Sequence, residues 1–313
     1  MGVYGNYPTR YQSLSDQELF RLYRKEEWSG LSEKQKLDLY QETVNRHAAS
    51  LGELGAPMVC VTQMKPTNVG THSKGVIKLN YDIVIRGMQI KEIEGQIFTY
   101  ERDDAGMQAM ATCFHENFHA WQDQCLDGTI TCSNQKLLQQ YKANDFDIST
   151  VTASDGTLKM GSQYLKGDPG SRYYMYYLQS TERDAHRYSE YLAMSMMDQL
   201  EQIYGPDEGF QAYREELKIN GYDAILQEAK EFHHNAQIEK DINQTLMNAY
   251  YGTHVPVDQE TRKMVEQEMI TSCNEIYQIR QQLRGKEDMI RSKELKRNEY
   301  EYEYTLGEDG GFI

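Results

Sequence analysis

"TCFHENFHAWQDQC", residues 112–125, contains a His-Glu-x-x-His pattern written by His115, Glu116 and His119. On an α-helix, residues four apart share a face, so these two imidazoles can turn ring nitrogens toward one cation. Zinc takes about four ligands in a tetrahedron, and the intervening glutamate projects near the metal without binding it. There it can take a proton from a water that the metal activates. The pattern therefore assigns His115 and His119 as ligands and Glu116 as general base. So short a pattern also arises by chance, and its surroundings must decide.

The surroundings favour chemistry. Met107, Met110, Ala111, Phe114, Phe118, Trp121 and Cys125 recur at helical spacing as one broad apolar stripe. Ala109, Cys113, Glu116 and Ala120 make a second face of small residues and one glutamate, with His115 and His119 on the shoulder between the two. Such a helix has few positions to give to solvent. Burying two histidines and a glutamate without partners would be costly, and a metal satisfies all three at once. The competing reading is a hydrogen-bonded core network. A Cys–His nucleophile fits less well, because Cys113 falls on the face of Glu116 rather than beside either histidine.

Working outward, the spacing predicts a helix over residues 104–125, preceded by strands in "APMVCVTQM" (56–64) and "GVIKLNYDIVI" (75–85). "GQIFTY" (95–100) reads as a third short strand or a loop. Two helices are predicted before the strands, "SLSDQELFRLYRKEEW" and "LSEKQKLDLYQETVNRHAASLG", each with a Ser cap signal. Residues 126–172 are weakly patterned, a length at which connections often shape a cleft. A helix is predicted over 172–204, and further helices follow. The fold expected is α+β and helix-dominated, with a small sheet beside the His-Glu-x-x-His helix. Residues 1–54 and 207–313 read as helical additions around a central unit of 55–206.

Composition narrows the function classes. The 313 residues carry a net charge of −15, and no Lys/Arg cluster offsets the repulsion of a phosphate backbone, which argues against nucleic-acid binding. No apolar run reaches the ~18 residues of a membrane span, and the start has no signal-peptide core. Five cysteines, spread out and without a C-x-x-C, read as reduced thiols in a cytoplasm. Tyrosine, at 24 residues against 8 Phe and 2 Trp, implies an aromatic core whose hydroxyls need partners.

The third ligand is sought in "YYLQSTERDAHRYSEYLAMSMM", residues 176–197. Tyr174, Tyr177, Leu178, Thr181, Ala185, Tyr188, Leu192 and Met196 form its apolar stripe, and Glu182 and His186 lie on the shoulder. Arg183, Arg187 and Glu190 point outward on this pattern. Glu182 is the expected ligand. His186 is the alternative, as a ligand itself or as a support for Glu182. Asp184 lies on the opposite shoulder. The bland reading is an i,i+4 Glu–His pair or a Glu182–Arg pair.

These motifs resemble the zincin-type metallopeptidases. The third and sixth positions after His119 are Gln122 and Cys125, which exclude the metzincin pattern and leave a gluzincin-like arrangement. "STERDAHRYSEYLA" (180–193) also resembles the E-x-x-A-x-x-[FY] helix of the ImmA/IrrE-like metallopeptidases, with Glu182, Ala185 and Tyr188 matching. The resemblance implies Zn²⁺ held by His115, His119 and Glu182, and a peptide or protein substrate laid along the strand "GVIKLNYDIVI". It leaves the oxyanion donor open among residues 173–177, His233, His234 and His254. Two other classes compete: a non-catalytic binding or regulatory protein with a structural or vestigial metal site, and a helical interaction protein pairing through residues 268–303.

Overall fold

The computed structural model describes residues 4–65, 68–93, 96–149, 151–152, 158–159 and 180–232. The chain opens with β1 (Tyr4–Gly5), α1 (Asp16–Arg21), α2 (Lys25–Ser29) and α3 (Glu33–Leu51). It continues through β2 (Ala56–Thr62), β3 (Gly70–Ser73), β4 (Val76–Asn80), α4 (Tyr81–Val84), β5 (Met88–Ile93) and β6 (Gln96–Glu101). Then come α5 (Ala105–Leu126), α6 (Gln135–Ser149), β7 (Val151–Thr152) and β8 (Leu158–Lys159). The last described elements are α7 (Ser180–Tyr204), α8 (Glu208–Asn220) and α9 (Tyr222–Phe232). The fold is α+β and helix-rich, with a small mixed sheet. No helix among the described residues is long and apolar enough to cross a membrane.

Local sequence accounts for most boundaries. Ser15 and Ser32 cap α1 and α3 in reciprocal boxes with Glu18 and Gln35, and α3 stops at Gly52 in the left-handed region at φ 72°. The predicted helix over "SLSDQELFRLYRKEEW" is broken in two, because Arg24 is extended at φ −63°, ψ 146°. Its guanidinium gains from the break, donating to the carbonyls of Gly205 and Pro206 at 2.9 Å each.

Four strands form the main sheet in the order β1-β2-β4-β3, with β2 and β4 parallel and the outer pairings antiparallel. This corrects the sequence reading twice. The strand predicted over 75–85 ends at Asn80, whose buried side chain caps α4 by accepting from Asp82 N–H. Asn80 Nδ2 also donates to the carbonyls of Lys65 and Asn68. And β4 is internal. Among the described residues the sheet's edges are β1 and β3, and the edge that packs on α5 is β3, only four residues of Gly, Thr, His and Ser, too short and polar to carry an alternation signal. The reading of 95–100 resolves as β6, paired with β5 in a hairpin. Part of the weakly patterned 126–172 segment is α6. Residues 172–179 and 233–313 lie outside the described residues.

Helix α5 runs through the middle of the molecule, between α3, the sheet and α7. Of its residues only Asp123 is exposed. Leu39, Tyr40 and Val44 of α3, Ile77 and Leu79 of the sheet, and Met107, Met110 and Phe114 of α5 build the core with Ala193, Met197 and Leu200 of α7. Two fully buried tyrosines of this core are partnered: Tyr23 Oη pairs with Thr43 Oγ1 at 2.7 Å, and Tyr40 receives Trp28 Nε1 at 2.9 Å while donating to Val84 O. The stripe of α7 is turned from its predicted position. Ala185, Ser189, Ala193 and Met197 are buried, while Tyr188, Leu192 and Met196 are half-buried. Small side chains let the helix backbones approach, and a count of large apolar residues misses that. Glu190, expected to face solvent, instead accepts the Tyr222 N–H at the start of α9.

Behind α5 lies a buried polar network. Glu53 accepts from Asn117 Nδ2 at 2.8 Å and Gln124 Nε2 at 2.9 Å, and Asn117 Nδ2 also meets His47 Nδ1 at 3.0 Å. Among the described residues no cation balances Glu53, and burial pushes its pKa up to about 8. A carboxyl raised in the folded state favours folding below its unfolded pKa of ~4.5 and loses that contribution as pH rises through about 8. Wild-type melting temperature should therefore fall between pH 5 and 9 more steeply than that of Glu53→Gln. Thermal melts across that range check this. Equal slopes in both proteins would contradict the assignment.

Candidate metal centre

Helix α5 presents His115 and His119 to α7, and α7 presents Glu182 back to them. His115 Nε2 and His119 Nε2 are 3.1 Å apart, His119 Nε2 is 3.4 Å from Glu182 Oε1, and His115 Nε2 is 3.5 Å from Glu182 Oε2. One ligand atom from each lies within 4.8 Å of the others. Two atoms bound 2.0–2.1 Å from one ion at a tetrahedral angle stand about 3.4 Å apart, so the spacing suits a zinc-sized cation. Glu182 is 5% exposed, and among the described residues its buried Oε2 has no hydrogen-bond partner within normal geometry, His115 Nε2 standing 3.5 Å away. A buried carboxylate oxygen in that position needs a cation or a donor. The residues present therefore fit a metal, and the His₂Glu donor set is one that zinc accepts.

Electrostatics bind the cluster together. Burial opposes the charge on Glu182, yet His119 and His115 overcome it and hold the carboxyl well below its usual range. Burial likewise opposes the charge on His119, and Glu182 outweighs it, raising that imidazole to about 9. His186 behaves differently: burial and the neighbouring His115 push it well below the usual imidazole range. Its ring centroid is 4.3 Å from that of His115, its Nε2 is 4.0 Å from Glu182 Oε2, and its Nδ1 is 4.0 Å from Glu190 Oε1. It flanks the three-residue cluster. Asp184 is engaged elsewhere, accepting from Tyr141 Oη at 2.8 Å and paired with Arg183 Nε at 2.6 Å. Arg183 is thus half-buried rather than outward-facing.

Glu116 sits beside the cluster, buried between α5 and β3. Burial raises its carboxyl pKa, while His115, His119 and the backbone N–H of His72 pull it back. Cys113 is fully buried, and burial together with Glu116 lifts its thiol pKa far above the usual value, which removes it as a nucleophile. The sequence reading did not find Gly70, His72 or Gln122. Gln122, one turn past His119, was open to discovery as an i,i+3 neighbour. Gly70 and His72 reach the site only through strand pairing, which leaves no local signal. The candidate oxyanion donors among residues 173–177, His233, His234 and His254 lie outside the described residues.

Gly70 is where sheet and site touch most closely. A Cβ there would lie 2.6 Å from Thr112 Cγ2 and 3.0 Å from Glu116 Oε1. Gly70→Ala must push β3 off α5 or displace the Thr112 and Glu116 side chains. We expect a loss of about 1–3 kcal/mol in stability, read by denaturant unfolding, with a fall in any activity that depends on Glu116. Unchanged stability would mean that the strand is not held against the helix as described.

Comparison of the chain with protein-family models, with curated proteins and with solved structures finds no match in any of the three.

Proposed function

We propose that this protein is a zinc-dependent hydrolase of the zincin type, acting on peptide bonds. The observation that carries the reading is the convergence of His115 Nε2, His119 Nε2 and one Glu182 oxygen at zinc-like spacing, beside a buried carboxylate on the same helix. His115, His119 and Glu182 would hold the ion. A bound zinc ion supplies Lewis acidity at that point, lowering the pKa of water and polarising a carbonyl. Glu116 is the general base: it takes a proton from the attacking water and passes it to the departing amine. A carboxyl whose pKa is raised by burial suits that double role, since it takes and holds a proton more readily than an exposed carboxylate does.

Edge strand β3 supports a peptide over other hydrolysable groups. Among the described residues only β4 pairs with it, and α5 lies against it at Gly70, beside Glu116. An extended chain can add to such an edge through main-chain hydrogen bonds. The free thiols of Cys60, Cys113, Cys125 and Cys132 support a reducing, cytoplasmic setting. The acidic net charge supports neither a nucleic-acid nor an anionic membrane partner.

One observation favours the non-catalytic alternative: His119 and Glu182 already form an ion pair that partly satisfies both without a metal. The two readings separate in one assay. Zinc-loaded protein is incubated with a mixture of denatured polypeptides, and new termini are identified by mass spectrometry. New termini that vanish with a zinc chelator support the hydrolase. An unchanged mixture, with zinc stoichiometrically bound, supports the alternative.

A further inference from the structure

We propose that Gln122 is the positioning residue of the metal centre, setting the tautomer of His119 and the placement of the helix that carries Glu182. This rests on the zinc reading above. Gln122 lies one turn past His119 on α5 and is 2% exposed. Its Oε1 is 2.7 Å from His119 Nδ1, and its Nε2 is 3.0 Å from the carbonyl oxygen of Thr181, the residue before Glu182. Its side chain also lies beside the Tyr141 hydroxyl, which donates to Asp184 Oδ2 at 2.8 Å. One amide therefore touches three helices: α5 through His119, α7 through Thr181 and α6 through Tyr141.

The chemistry fixes its orientation. A peptide carbonyl only accepts, so the amide nitrogen of Gln122 must face Thr181 and the amide oxygen must face His119. An amide oxygen also only accepts, so His119 Nδ1 must carry a hydrogen. In the neutral ring that leaves the lone pair on Nε2, the nitrogen that stands 3.1 Å from His115 Nε2 and 3.4 Å from Glu182 Oε1. Gln122 thus selects the tautomer that can ligate. Its other end anchors the backbone immediately before the third ligand, so both ligand-bearing helices are held in register by one side chain. Such hydrogen-bonded supports of ligating imidazoles commonly carry a 10–100-fold share of metal affinity.

A pair of substitutions separates the two halves of the role. Gln122→Met fills similar space and makes neither hydrogen bond. Gln122→Glu keeps an acceptor for His119 Nδ1–H but sets a carboxylate against the Thr181 carbonyl. Zinc affinity of the full chain is measured by competition with a chromophoric chelator, beside a thermal melt. We expect Gln122→Met to bind zinc about 10–100-fold more weakly. Gln122→Glu should recover much of that affinity while melting below wild type. Should Gln122→Met fail to fold, Gln122→Asn, whose shorter amide cannot span His119 and Thr181, takes its place. Wild-type affinity in Gln122→Met, or equal weakening in Met and Glu variants, would overturn the inference. A wild-type chain that binds no zinc would instead remove the metal reading on which it rests.

Discussion

Glu116→Gln should retain its zinc and lose peptide hydrolysis by about 10²–10⁴-fold. The substitution keeps the shape of the side chain and an oxygen to accept the His72 backbone N–H. It removes the one property the mechanism needs, a basic oxygen beside the attacking water. Because burial already raises the Glu116 pKa, a neutral amide at that position should not lower the melting temperature. The combination is diagnostic: intact fold, intact metal, lost turnover. Single-turnover rates on a cleavable peptide, measured beside zinc content, check it. Comparable rates in the two proteins would take Glu116 out of the reaction.

The second large effect concerns stability. An ion bound only by the folded chain adds RT ln(1 + [L]/Kd), about 4 kcal/mol at a thousandfold excess over Kd. Wild-type protein should melt higher when zinc is added to the chelator-treated chain, and His119→Ala should show no such rise. The variant should also be weaker without metal. Removing His119 leaves the buried Glu182 carboxylate without its partner at 3.4 Å, a kind of loss that costs about 3–5 kcal/mol. A zinc-dependent rise of the same size in His119→Ala would show that the ion sits elsewhere.

What could be read from sequence, and what could not, follows from the range of each signal. Helix α5 was legible to within a residue at each end, because its apolar stripe, Met107 to Cys125, spans about five turns and the helix leaves only Asp123 exposed. The His115–His119–Glu182 cluster was legible as candidates. Two of its members are four residues apart, and the third was tied to a second apolar stripe. Even that stripe was placed about one residue off, since Ser189 and Ala193 pack more closely than Tyr188 and Leu192. Strand β3 was not legible. Gly70–Ser73 holds no apolar alternation, and its register against β4 is a property of two segments rather than one. Tertiary pairing likewise decided that Asn80 would end a strand and start a helix turn. Gln122 carries the same lesson: its amide matters because α6 and α7 arrive beside it, which nothing within residues 112–125 announces.

The central claim is that His115, His119 and Glu182 hold one zinc ion. Elemental analysis of the purified chain, wild type beside Glu182→Ala, tests it most directly. One zinc per wild-type chain, lost or markedly depleted in Glu182→Ala, is the result this account predicts. A wild-type chain that takes up no zinc after reconstitution would contradict it and leave the three side chains as a buried hydrogen-bonded network.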